Sequence, residues 1–259
     1  MKRIILTGIL ALAAGACSLM AQPAAPQKGQ PKGPTVKSKE ELAALQACTA
    51  QGNPDASIKA CEELLVKFAD SDFKDYALYF EAEAYQQKGD LDKAQIYGER
   101  VLEVNPKYFQ AQLMLAEILA QRTREMDLDR EEKLSKADKY ADDTINLLKT
   151  LPKQNPQITD EQWEEGKKGA IARAHNPKGL AALTRKKFDV AIAEFKAAAE
   201  NDPQPAFLVR EASALQSAGK HDEAIALCDK VLADAQVHPQ IKQVAQAIRA
   251  QSAKASGKK

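Results

Sequence analysis

The sequence predicts an all-α fold, about five antiparallel helix hairpins stacked in a row and closed by a C-terminal capping helix. Composition supplies the first reason. Aromatic residues make up only 5% of the 259-residue chain, while Ala, Glu, Lys, Gln and Leu recur throughout, a mixture that favours helix over sheet. The second reason is spacing: apolar residues recur at intervals of three and four and halt at Gly-Asp or Asn-Pro steps, the mark of short amphipathic helices. The third is recurrence, since these helix pairs repeat with a near-constant period.

The ends stand apart from the repeats. Residues 1–21 place Lys2 and Arg3 before an apolar run and then small residues, the layout of a bacterial export signal. Cleavage after Ala21 is one expectation. Cleavage after Ala16 is the other and would leave Cys17 as a lipidated first residue, although Ala14 stands where such sites usually carry Leu, Val or Ile. Residues 22–37 hold four prolines and two glycines and read as a disordered linker. The repeat domain is expected over 38–250, and 251–259 is expected to be a flexible basic tail.

The clearest unit is 75–108. Leu78, Ala82 and Tyr85 share one helix face, Gly89-Asp90 breaks the chain, Ala94, Tyr97, Val101 and Val104 share the next face, and Asn105-Pro106 closes it. Neither helix can bury its face alone, so the two pair and need neighbours. The run 205–235 repeats this with Leu208, Ala212, Leu215, Gly219, Ala224, Leu227, Cys228 and Val231. Before it come Gly179, Ala182, Phe188, Ala191, Phe195, Ala198 and Pro203, with Ala191 and Ala224 separated by 33 positions. A degenerate first copy carries Leu45, Cys48, Gly52, Ser57, Cys61 and Leu64. A stretched third copy has Ala116 and Ala137 separated by 21 positions. Its extra residues, in RTREMDLDREEK, are expected to lengthen the helix pair, a charged protruding loop being the alternative. Between 152 and 178, Thr159 or Asp160 starts a helix, and Asn176-Pro177 marks either a kink or the end of an inserted helix. Ile241, Val244, Ala245 and Ile248 are expected to form the inner face of the capping helix.

Numbered from Asp75, these residues resemble the 34-residue unit of the tetratricopeptide repeat family: Leu78 at position 4, Ala82 at 8, Tyr85 at 11, Gly89 in the turn, Ala94 at 20 and Pro106 at the close. Gly98 at position 24 departs from the usual aromatic, and Val101 at position 27 from the usual Ala. The resemblance implies a right-handed superhelical solenoid whose first helices line a concave face. In that family positions 2, 5, 9, 12 and 13 of the unit commonly hold a peptide or a partner's helix. They fall on Tyr76, Tyr79, Glu83, Gln86 and Gln87, and in the next unit on Gln110, Leu113 and Glu117, followed by Ala120 and Gln121. Tyr79 is the first choice for mutation. The small residues at these positions of the last unit disfavour a Lys/Arg clamp for a terminal carboxylate.

Charge and motifs narrow the function classes. With 37 Lys+Arg against 36 Asp+Glu there is no excess of positive charge for nucleic acid. His175, His221 and His238 show no metal-ligand spacing, and no nucleophile elbow or phosphate loop follows a strand. No cofactor and no enzymatic activity are expected. Cys48 and Cys61 occupy the close positions 11 and 24 of the first hairpin, which permits a disulfide in an oxidising compartment, two buried thiols being the alternative. The expected protein is a scaffold of the bacterial cell envelope that binds another protein or a peptide segment. An accessory role in cell-wall or outer-membrane biogenesis is a narrower form, and a self-associating structural component is the alternative. Membrane attachment is expected only through a lipid on Cys17 or an uncleaved signal.

Overall fold

The structure, a computed structural model, describes residues 34–50, 52–153 and 155–257. The expected signal, Cys17 and most of the expected linker lie outside the described residues, as do Lys258 and Lys259. Among the described residues there are eleven helices and no strand: α1 (Lys39–Cys48), α2 (Pro54–Lys67), α3 (Lys74–Gln87), α4 (Leu91–Val104), α5 (Phe109–Arg122), α6 (Arg130–Thr150), α7 (Asp160–Thr184), α8 (Phe188–Asn201), α9 (Pro205–Ser217), α10 (His221–Ala233) and α11 (Pro239–Ala255). α1 with α2, α3 with α4, α7 with α8 and α9 with α10 pair as hairpins, Leu119 and Ala120 at the end of α5 pack with Ala137 of α6, and α11 follows as the expected capping helix. The chain divides within α5 into two compact units, 22–118 and 119–259.

In the first unit, α1 packs on α2, α2 on α3 and α3 on α4. One core joins Ile58, Leu78, Ala82, Tyr85, Ala94, Val101, Ala111 and Met114. Gly98 breaks the family pattern for a steric reason. A Cβ there would sit 3.1 Å from Leu115 Cδ2, and Leu115 is fully buried, so the missing side chain makes room for the next hairpin's leucine. Val104, expected inside, is 44% exposed. The linker boundary also moves: Thr35 donates through its backbone N–H (3.1 Å) and its hydroxyl (3.2 Å) to Asp72 Oδ2, and Lys37 Nζ lies 3.0 Å from Asp70 Oδ2. Residues 35–37 are thereby tied to the turn between the first two hairpins.

In the second unit α6 packs on α7, α7 on α8, α8 on α9, α9 on α10, and α11 closes on α10 and α9. The stretched third copy resolves in both expected ways. α6 runs for 21 residues against the 14 of α5, and a loop spans 123–129. The segment 152–178 is continuous with the fourth hairpin, because α7 is a single 25-residue helix that carries Pro177 inside it. It begins in a capping box, with Thr159 Oγ1 accepting from Gln162 N–H (3.1 Å) and Gln162 Oε1 accepting from Thr159 N–H (2.9 Å), which satisfies two donors that a helix start leaves open. The last helix runs past residue 250. α11 reaches Ala255, and Ser252 is fully buried where Gln216 Nε2 donates to Ile248 O (3.1 Å) and Ser252 Oγ (3.3 Å). Val244, expected on the inner face, is half exposed.

The hairpin turns share one backbone solution. At Gly89 and Gly219 the chain takes φ of 78° and 77°, and the following N–H reaches back to Tyr85 O and Leu215 O, which satisfies the helix-end carbonyls. The fourth hairpin makes the same turn with Lys186 at φ 59°, the one non-glycine at positive φ among the described residues. Left-handed backbone costs a side-chain-bearing residue about 1–2 kcal/mol. Lys186→Gly is therefore expected to raise stability by about 1 kcal/mol in urea unfolding. A loss would mean that the Lys186 side chain stabilises more than its backbone conformation costs.

Candidate protein-binding face

The residues singled out from the sequence all fall on two first helices of the first unit. Tyr76, Tyr79, Glu83, Gln86 and Gln87 stand on α3, and Gln110, Leu113 and Glu117 on α5. Their exposure separates them. Gln87 is exposed, and Tyr76, Glu83, Gln86, Gln110 and Glu117 are half-buried. Tyr79 is only 6% exposed and Leu113 only 1%, so both lie beneath the half-exposed row. The Tyr79 ring packs 5.0 Å from the Tyr108 ring, and its hydroxyl donates to Glu83 Oε1 at 2.8 Å. Tyr76 meets Tyr108 edge-on at 5.7 Å and Phe73 at 5.8 Å. Such offset pairs fix ring orientation. Burial, with Tyr79, Tyr76, Asp75 and Glu83 close by, pushes the Tyr108 hydroxyl well above its ordinary value, so it stays a neutral phenol. The result is a rigid aromatic base carrying a half-exposed row of amide, phenol and carboxylate groups.

Cys48 and Cys61 are brought together as the spacing expected, with the sulfurs 2.04 Å apart and the Cα atoms 4.5 Å apart. Both are fully buried, one at the end of α1 and the other inside α2. Cys228 is a buried free cysteine whose thiol burial pushes up.

Several polar groups were not identified from the sequence. Glu81, on the inner face of α3, is fully buried. Burial pushes its carboxyl up to about 7, the facing Tyr97 hydroxyl opposes this and Glu62 adds to it, while Tyr97 is itself pushed up to about 12. Its place one helical turn from Ala77 and Ala84 was the available signal. A raised carboxyl pKa means that the folded chain holds this proton more tightly than the unfolded chain does. The stability is complete below about pH 4.5 and is lost as pH rises through about 7. Glu81→Gln should remove that fall and be more stable than the parent at pH 8 by about 1–2 kcal/mol, allowing for screening by polar neighbours. Parallel unfolding curves for the two proteins across pH 4.5–8 would contradict this.

In the second unit His175 lies within α7, not at a boundary, and its Nδ1 is 2.7 Å from Glu194 Oε2 on α8. Lys178 Nζ bridges Glu194 and Asp142 of α6, 3.0 Å from each. Burial works against the charge of Glu194, yet the hydrogen bonds from His175 and Lys178 hold its carboxyl below the usual range. These converging groups tie three helices together. His238 Nδ1 accepts from Gln240 N–H at the start of α11. No group of three or more His, Cys, Asp or Glu is placed to hold a metal among the described residues.

Similar proteins agree with this architecture. A thermophilic TPR protein of Thermus thermophilus superposes with a TM-score of 0.55 at 21% identity, over 80% of this chain and 98% of that one. A MamA RS-1 ArsTM double mutant gives 0.55 at 16% identity, over 75% and 92%. None of the curated proteins matches the sequence. A tetratricopeptide repeat family model matches residues 79–144 and 176–239, together half of the chain. With its hairpins, glycine turns and small-residue seams, the chain belongs to the tetratricopeptide repeat family.

Proposed function

We propose that this protein is an exported, non-enzymatic scaffold of the bacterial cell envelope that holds a segment of another protein along α3 and α5. Tetratricopeptide repeats bind other proteins or peptides. The observation that carries the reading here is the half-exposed row of Tyr76, Glu83, Gln86, Gln110 and Glu117, with Gln87 at its edge, on a base of buried rings. An extended segment needs alternating stacking surface and hydrogen-bond partners, and this row supplies both. Export is supported by the apolar, basic-headed N-terminus and by the bonding distance of Cys48 and Cys61, since disulfides persist in oxidising compartments. Intact mass of the protein recovered from cells would separate cleavage after Ala21 from lipidation at Cys17.

The binding reading is tested by affinity capture from envelope extract with the full protein and with a Tyr76→Ala/Gln86→Ala variant. The expected result is a protein retained by the parent and at least tenfold depleted on the variant. Failure to retain any protein, or equal retention by both, would overturn it.

A further inference from the structure

The loop 123–129 is held in place and yet presents apolar side chains to water. Met126 is 87% exposed and Leu128 is 107% exposed. Around them, Arg124 N–H donates to Asp127 Oδ2 (3.0 Å) and Arg130 Nη1 donates to Glu125 O (2.9 Å). Lys186, in its costly left-handed conformation, pairs with Glu125. Its neighbour Arg185 reaches α6 at Glu131 and Asp138, 2.6 Å from each. A strained residue kept where the sibling turns use glycine is a sign of use, and here its side chain ties the loop to the α7–α8 turn.

Beside that turn lies an open cleft of about 400 Å³. Phe188, Val190 and Ala218 supply apolar surface, while Lys186, Lys187 and Lys220 stand at the rim with Asp189. The plug and the cleft match in their apolar surface, Met126 and Leu128 on one and Phe188, Val190 and Ala218 on the other; of the charges beside them Glu125 pairs with Lys186, Asp129 with Lys133 and Lys220 with Asp189 within the chain, and Lys187 stands at the rim. They also adjoin each other, because Lys186 belongs to the cleft and holds the loop.

We propose that a second copy of this chain occupies the cleft, the loop of each copy seating Met126 and Leu128 against Phe188, Val190 and Ala218 of the other. A two-fold axis exchanges both contacts at once when plug and cleft are neighbours, and the contact closes on itself without building a filament. The pre-set loop limits the ordering cost, and Met adapts to an irregular cleft. Two small plugs place the contact at the weak end of protein interfaces, below about 1,200 Å², so the dimer should dissociate in the micromolar range and weaken with salt. This inference stands apart from the partner-binding reading of α3 and α5.

The test is molar mass by light scattering over a hundredfold concentration range, on the full-length protein and two surface variants whose helicity is first confirmed. The parent should pass from monomer to dimer. Met126→Asp/Leu128→Asp, which loses the plug, and Lys187→Glu/Val190→Asp, which loses the cleft, should each remain monomeric. A parent that is monomeric throughout, or a dimer that survives both variants, would overturn the proposal. Captured partner without dimer, or dimer without captured partner, shows which of the two readings fails.

Discussion

Phe195→Ala is expected to destabilise the second unit by about 3–5 kcal/mol, read as a shift in the urea midpoint. The ring is fully buried in a core with Ala182, Ala191 and Ala214, small residues that cannot close over the space it would leave. Its position depends on Gly179. A Cβ built on Gly179 would stand 2.5 Å from Phe195 Cε1 and 2.7 Å from both Cδ1 and Cζ, distances that real contacts do not reach. α7 and α8 therefore meet through a missing side chain, as α4 and α5 do at Gly98. Gly179→Ala sets two effects against each other. An added methyl in a helix gains up to about 1 kcal/mol in propensity, while overpacking costs about 1–3 kcal/mol, and a buried ring cannot swing aside. A net loss is expected, and it should shrink or reverse in a Phe195→Leu background, giving a coupling of at least about 1 kcal/mol. Additive effects would show that the two positions do not share the seam.

Loss of the Cys48–Cys61 link is expected to cost about 2–3 kcal/mol, the stabilisation of a short covalent loop. The cost should fall on the first hairpin. α1 has few other anchors: Leu45 and Cys48 are its buried apolar residues, and its third buried residue is Glu41, whose Oε1 lacks a hydrogen-bond partner. In the Cys48→Ala/Cys61→Ala protein, backbone amides of α1 and α2 should exchange through local opening, while those of α8 and α9 keep their protection. Thermal unfolding with and without reductant gives the matching test on the parent. Unchanged exchange in α1 and α2 after removal of both sulfurs would show that packing alone holds the hairpin.

The repeats were legible because their signals are local. Glycine at positive φ ends the first helix at Gly89 and Gly219, and small residues such as Ala82 and Ala94 recur wherever two helices touch. The same logic placed Cys48 opposite Cys61. Much of what escaped depends on neighbouring hairpins. Nothing within 75–108 reveals that Gly98 yields its space to Leu115, and the repeat positions do not show that Tyr79, at a position that commonly binds a ligand, is covered by Tyr108 at the end of its own unit. Leu113 was buried for a related reason: an aliphatic side chain at a contact position finds apolar neighbours before it finds a partner. Asn176-Pro177 left a kink and the end of an inserted helix both open, and the helix runs on through it. A proline removes one hydrogen bond from a helix, and the packing of α7 against α6 and α8 is enough to carry the helix through it. Lys186 hid its role because a lysine after a helix end looks like a solvated charge, and its φ of 59° exists only in three dimensions.

Site-specific photo-crosslinking in cells tests the scaffold reading most directly. A photoreactive residue placed at Gln87 on α3 or Gln110 on α5 samples the proposed binding row, and one at Val66 on α2 or Ile96 on α4, 80% and 54% exposed, samples second helices. Crosslinked adducts to the same protein from positions 87 and 110, with none from 66 and 96, are predicted. Adducts from 66 and 96 alone, or none from any of the four positions, would contradict the placement of partner binding on the first helices.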